Sequence, residues 1–200
     1  MAAGVTLLEL MVVVMIIGIL ATLAVPTMVR AKDDQRAFYA AQSIAQMFRE
    51  ARARAIGTGG AQVVSFDVNA KTFTWLSQVD AADNEIGTCR QATWNVAPVA
   101  NGAGIRVQNA LNFGAGLDHA IGVTTTFQSA GDAFSVLCFA PSGRVFTATA
   151  LETLVSGGAL SQPAAIDVAR NPDGAGVVGL VRAVVLMPSG MARVVSRAAQ

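Results

Sequence analysis

From Leu10 to Val29 the chain runs without a charge: Leu-Met-Val-Val-Val-Met-Ile-Ile-Gly-Ile-Leu-Ala-Thr-Leu-Ala-Val-Pro-Thr-Met-Val. At about 1.5 Å per residue, roughly 20 such residues make a rod of about 30 Å, the thickness of a bilayer's hydrocarbon core. The stretch therefore predicts a membrane-crossing helix. After Pro26 the apolar positions narrow to a stripe. Phe38, Ala41, Ala45, Phe48 and Ala55, with Ile44 and Ala51 beside them, recur at steps of three and four, while Gln42, Gln46, Arg49, Glu50 and Arg54 take the other face. This is an amphipathic extension of the same rod, ending at Gly57-Thr-Gly-Gly60. Pro26 lacks a backbone donor and is expected to bend or loosen the helix.

Beyond Gly60 the period changes to that of strands. Gln62 to Val68 and Lys71 to Gln78 alternate around an Asn-Ala turn and predict a hairpin. Asp80 to Glu85 reads as a polar turn, and 101–116 as a Gly/Asn-rich connection with at most one short strand near Ile105 to Val107. Phe134, Val136 and Cys138 alternate with Ser135 and Leu137 and are expected to point inward together. Ala-Pro-Ser-Gly at 140–143 then turns the chain into Val145 to Thr149. The same corner returns near the end, where Leu180 to Met187 meets Met191 to Ser196 across Pro188-Ser-Gly190. Between these hairpins, 156–162 and 171–176 read as exposed loops.

Glu9 stands at the edge of the apolar run. An ionised carboxylate in lipid costs about 2 to 3 kcal/mol, so an intramembrane acid calls for a cation. Within the first 29 residues the sequence offers only an α-amino group. A cut after Gly4 would place that amine on Val5, four residues before Glu9. The stretch Gly4-Val5-Thr6-Leu7-Leu8-Glu9-Leu10, running into Met-Val-Val-Val-Met-Ile-Ile-Gly-Ile-Leu-Ala, resembles the class III signal of type IV pilins and type II secretion pseudopilins. The resemblance implies that a prepilin peptidase cuts after Gly4 and methylates Val5. It also implies assembly roles for Thr6, Glu9 and Pro26. Val5 departs from the Phe usual in that position. The rival reading is an ordinary membrane anchor. A secretory signal peptide fits worse, because no basic region precedes the run and no Ala-x-Ala site follows it.

Composition adds bounds. The chain has 200 residues, and with one membrane anchor set aside about 150 remain for the part outside the membrane, enough for one domain. Net charge is +1 and charged residues are only 14% of the chain, which argues against a protein built to coat nucleic acid. Two cysteines, Cys89 and Cys138, would be allowed a disulfide in an oxidising compartment; two separate buried thiols are the other reading. The boundaries that follow are a leader over 1–4, a transmembrane and assembly helix over 5–29, its amphipathic extension over 30–57, and a periplasmic β-rich domain over 61–200. The fold class is α+β, with the long helix packed on an antiparallel domain of two small sheets.

The end of the helix, Phe-Arg-Glu-Ala-Arg-Ala-Arg-Ala-Ile at 48–56, leads directly into the first strand, and a final strand pair joins at Pro-Ser-Gly. These features are similar to the H-type minor pseudopilins and the FimT/FimU-type minor pilins. The resemblance implies a non-catalytic subunit that primes or caps a type IV pilus, or an H-type pseudopilin of type II secretion. Its partners would be other pilin or pseudopilin subunits, the prepilin peptidase, an inner-membrane assembly platform and lipid.

Little in the sequence suggests an enzyme. His119 is the only histidine and cannot by itself supply a triad or a metal cluster, so no cofactor or metal is expected. Gly174, Gly176 and Gly179 spell GxGxxG, but a β-branched run follows where a dinucleotide site needs a helix. Some FimT-type pilins bind DNA through a Gly-Arg-x-Arg pattern. Here the matching residues are Gly190-Met191-Ala192-Arg193, without the first arginine. Arg182, Arg193 and Arg197 gathered on one edge would give a membrane-anchored DNA receptor only weak, salt-dependent phosphate binding; solvated charges are the plainer reading.

Overall fold

The computed structural model describes residues 7–67, 69–90, 94, 104–113, 121–124, 128–129, 132–170 and 178–198. A long helix, α1, runs from Leu7 to Thr58 and passes Pro26 without a break, and a short 3-10 helix covers Leu151–Ser156. Its end follows from glycine chemistry. Gly59 takes φ +77°, a left-handed conformation that spares glycine the Cβ penalty, and its N–H reaches back to Ala55 O at 3.1 Å.

Among the described residues thirteen strands follow: β1 (Gln62–Asp67), β2 (Thr72–Val79), β3 (Glu85–Ile86), β4 (Gly104–Asn112), β5 (Ile121–Thr124), β6 (Gln128–Ser129), β7 (Asp132–Ala133), β8 (Val136–Phe139), β9 (Val145–Ala148), β10 (Gly158–Ala159), β11 (Ala164–Arg170), β12 (Val178–Leu186) and β13 (Ala192–Ala198). They build two antiparallel sheets and a short ribbon. The first sheet has the order β10-β9-β8-β1-β2-β3, with β4 also on β2. The second has the order β13-β12-β11-β5, and β6 pairs β7 separately.

The expected hairpins form. Gln62 stands opposite Ser77 and Asp67 opposite Thr72, and the Asp67 carboxylate accepts from the N–H groups of Asn69 and Ala70 at 2.8 and 3.0 Å. Both Pro-Ser-Gly corners turn on a glycine at φ +79°, Gly143 between β8 and β9 and Gly190 between β12 and β13.

Three expectations need correction. The segment 101–116 holds more than a short strand at Ile105 to Val107. β4 covers nine residues and pairs with nearly all of β2, with a bulge where Val107 faces Leu76 and Asn109 faces Trp75. That bulge breaks the alternation by which a strand is recognised. The loop expected over 156–162 includes β10 on the sheet edge, with Leu160 buried and its N–H on Val145 O at 2.8 Å. Finally, β8 does not sort into one inward set: all of Val136, Leu137, Cys138 and Phe139 are buried, because both faces of the first sheet are covered. The other loop expectation, 171–176, lies outside the described residues.

The main core lies where α1 meets both sheets. Ala41, Ile44, Ala45, Phe48, Ala51 and Ala55 are fully buried against Val64, Phe73 and Phe139 of the first sheet and Ile166, Val184 and Leu186 of the second. Alanine at four of these helix positions lets the strands approach closely, and Phe48 fills the gap between Phe73 and Phe139, its ring centroid 6.5 and 6.0 Å from theirs. A second apolar cluster on the far face of the first sheet contains Val63, Leu76, Trp94, Val136 and Leu154. Cys89 and Cys138 are disulfide-bonded inside it.

Candidate functional site

The two halves of α1 meet different surroundings. From residue 37 to 55 one face is buried in the core, whereas every large apolar side chain from Leu7 to Leu20 is about half exposed or more. Glu9 lies in this exposed part. Gly4, Val5 and Thr6, and the side chain of Pro26, are outside the described residues. The uncharged run with described side chains covers residues 10–22. Among the described residues no helix is long and apolar enough to cross a membrane. A full-length crossing would need the segment at 23–29, where only the Met28 side chain is described.

A polar latch fastens the end of α1 to the first sheet. Because β3 continues the line of β1 along β2, Glu85 lies beside Gln62. The Glu85 carboxylate accepts from Arg54 Nε at 2.6 Å, Gln62 Nε2 at 2.9 Å and Gln108 Nε2 at 3.1 Å. Gln108 is the residue that the β4 bulge leaves without an opposite, and it also donates to Ser77 Oγ at 2.6 Å. Trp75 Nε1 donates to Gln62 Oε1 at 2.9 Å, which fixes the amide so that its nitrogen faces Glu85. Gly60 packs so closely that a Cβ would lie 2.7 Å from the Glu85 backbone. Sequence reasoning missed this network, since its members are scattered over five elements.

The arginines singled out for nucleic acid do not converge. Arg182 lies on the face of the second sheet turned to α1, its guanidinium 5.5 Å from the Phe38 ring centroid, and it donates to Ser196. Arg197 is on the opposite face in an ion pair with Asp167. Arg193 is exposed four residues before Arg197. A phosphate backbone would meet at most two of them on one face, and one of those two already holds a carboxylate.

A different pair of arginines shares one helix face. Arg49 and Arg52 line a cleft of about 140 Å³ together with Ala53, Gly190, Met191 and Ala192. Arg49 Nε donates to Ala192 O at 3.1 Å. Arg52 runs beneath the two Pro-Ser-Gly corners.

His119 and residues 174–177 of the glycine run lie outside the described residues. The described end of that run enters β12 directly, so a strand stands where a dinucleotide site needs a helix. Among the described residues no group of His, Cys, Asp and Glu is placed to hold a metal ion.

No family model and no curated protein matches the chain. Among solved structures it is similar to the type IV minor pilin FimU of Pseudomonas aeruginosa, with 13% identity over 84% of this chain and 95% of that chain and a TM-score of 0.48. It is likewise similar to the minor pseudopilin EpsH from the type 2 secretion system of Vibrio cholerae, with 18% identity over 80% of this chain and 96% of that one and a TM-score of 0.45.

Proposed function

We propose that this chain is a minor pilin, a non-catalytic subunit that enters a filament through the exposed half of α1 and helps to prime or cap its assembly. One observation carries the reading: a single unbroken helix is apolar and exposed in its first part and built into a β domain in its second. Leaving a Leu, Ile or Val side chain in water forgoes about 1.5 to 3 kcal/mol each, so a stripe of this length calls for lipid or sister helices. Before assembly, the helix completed by 23–29 anchors the subunit in the inner membrane with the β domain in the periplasm. On extraction into the filament, neighbouring helices take the place of lipid.

Glu9 then sets register. In a low-dielectric bundle a carboxylate is costly to leave half-matched, so a subunit seated one turn out of place is rejected. The amine on Val5 of a neighbour, exposed by cleavage after Gly4, is the counter-charge in this scheme. Glu9→Ala should leave membrane insertion unchanged and abolish incorporation into filaments; equal incorporation of the variant contradicts the scheme. The same design serves an H-type minor pseudopilin of type II secretion, and neighbouring genes distinguish the two.

A further inference from the structure

Two contacts fix how the β domain stands on α1. Gly190, at the corner between β12 and β13, packs on Arg52, and Arg182 of β12 lays its guanidinium 5.5 Å from the Phe38 ring centroid. β12 therefore climbs beside α1 from Phe38 toward Arg52. Its first residues, with the end of β13 paired to them, form the edge of the domain nearest the apolar half of the helix. Among the described side chains Ala37 is the first of α1 to be buried, so the domain begins soon after the uncharged run closes at Val29.

That edge carries a continuous band of basic and large apolar side chains. Lys32, Arg36 and Tyr39 follow at steps of four and three, which puts them on one stripe of α1. Tyr39 is 66% exposed, and its ring centroid is 6.2 Å from that of Phe38, which the Arg182 guanidinium covers. Leu180, two residues before Arg182 and so on the same face of β12, is 43% exposed. Arg182 donates to Ser196 through Nη1, one end of a fork with further N–H groups. Over 30–36 and at 182 the sequence supplies Arg30, Lys32, Arg36 and Arg182 against Asp33 and Asp34, so the band is net positive. Arg197 stays out of it, held on the opposite sheet face by Asp167.

We propose that this band binds the phosphate groups of an anionic phospholipid leaflet and seats the β domain on the membrane that anchors α1. The inference rests on the reading that the uncharged run lies in lipid, because only then does the helix set the height of the band. With Val29 at the edge of the hydrocarbon, a rise of about 1.5 Å per residue puts Lys32 about 5 Å, Arg36 about 10 Å and Tyr39 about 15 Å above it. The headgroup layer is about 5 to 8 Å deep. Helical side chains lean toward the N-terminus, here toward the bilayer, and long basic ones carry their charge well away from the backbone. Lys32 thus lies within the layer, and Arg36 and Tyr39 reach down to it. The basic heads would donate to phosphate oxygens, while Tyr39, apolar in its body and polar at its tip, suits the boundary. A zwitterionic leaflet offsets each phosphate with a cation of its own, so lipid with net negative charge is preferred.

The test is NMR of the arginine Nε–Hε groups of the full chain in nanodiscs, made of phosphatidylcholine alone or with roughly a quarter replaced by phosphatidylglycerol. A nitroxide on the lipid headgroup should broaden Arg36 and Arg182 at least threefold more than Arg54 and Arg144, which lie toward the far end of the domain. Phosphatidylglycerol should shift the signals of the same two, and high salt should reverse the shift. Lys32→Gln with Tyr39→Ser, both at exposed positions of α1, should at least halve the shift at Arg182 without moving the unfolding midpoint. Equal broadening of all arginines, no shift with phosphatidylglycerol, or the same shifts from soluble glycerol phosphate at matched phosphate concentration would overturn the proposal. A second nitroxide, deep in the acyl chains, reads the backbone amides of 10–22. If those broaden while Arg36 and Arg182 stay unmoved, the headgroup band alone is refuted. If they do not broaden, the anchoring reading fails and takes the band with it.

Discussion

Glu85 Oε1 receives the Nε–H of Arg54 at 2.6 Å, tying the last turns of α1 to the strand that extends β1's line. The carboxylate is nearly buried, with 5% of its side-chain surface exposed, while Arg54 keeps 41%. The exposed end makes the ion pair itself worth little, about 0 to 1 kcal/mol. The amides of Gln62 and Gln108, which donate to the same carboxylate from the sheet side, matter more. Glu85→Ala leaves the Gln62 amide without its acceptor and Gln108 with only Ser77 Oγ, and should destabilise the domain by about 2 to 4 kcal/mol in urea unfolding. Arg54→Ala, which removes only the exposed partner, should cost about 1 kcal/mol. Equal effects would show that the surface ion pair dominates.

The twin corners offer a comparison of two chemically identical turns. Both Gly143→Ala and Gly190→Ala place a Cβ at φ +79°, which costs about 1 to 2 kcal/mol. Only at Gly190 does the new atom also collide with Arg52, at 2.6 Å against 3.5 Å. Gly190→Ala should therefore lose about 1 kcal/mol or more beyond Gly143→Ala. In an Arg52→Ala background the gap should narrow to what the Gly143 carbonyl, 3.2 Å from the Cβ added at Gly190, leaves. A double-mutant cycle read by thermal unfolding checks this.

Cys89 and Cys138 close a loop with a sequence separation of 49 residues. In the chain-entropy model a bridge of that span stabilises by about 4 kcal/mol. The double variant Cys89→Ser with Cys138→Ser should lose a similar amount, with little extra loss when a reductant is added. If reduction destabilised the double variant as strongly as the parent, the effect would not arise from the bridge.

Asp80 caps its turn by accepting from Asn84 and Ala82. Its carboxyl is held below its ordinary value, first by the Asn84 side-chain amide, then by the Asn84 backbone N–H, against a smaller upward push from burial. A depressed folded-state value means that the stabilising contribution is complete above the ordinary carboxylate range and is lost as pH falls through the lower folded-state value. Asn84→Ala should raise the Asp80 midpoint in a carboxyl NMR titration and move the acid-sensitive window upward. An unmoved midpoint would assign the depression to another cause.

The period of the sequence tells helix from strand well where a single face is buried. Phe38 to Ala55 has its stripe on the core, and the strands from Gln62 to Val79 pair in the expected hairpin. It fails where both faces are covered or the alternation slips: β8 is buried throughout, and the bulge at Gln108 hides β4. β11 is hard to see because Ala164 and Ala165 give weak contrast with the apolar positions that follow. The two Pro-Ser-Gly corners are visible as a repeat. Their convergence on Arg52 is not, since it depends on how the two sheets meet across α1. For the same reason the latch around Glu85 and the Arg49 and Arg52 cleft leave no linear signature, whereas Arg182, Arg193 and Arg197 are close in sequence and divided between sheet faces.

The central claim is that α1 begins as a processed, lipid-borne segment and ends as a filament strut. Intact-mass and N-terminal peptide mass spectrometry of the protein taken from its native membrane tests this most directly. The account predicts a chain that starts at Val5 and carries one methyl group on its amine. An N-terminus that still retains residues 1–4, in cells with an active prepilin peptidase, would contradict it.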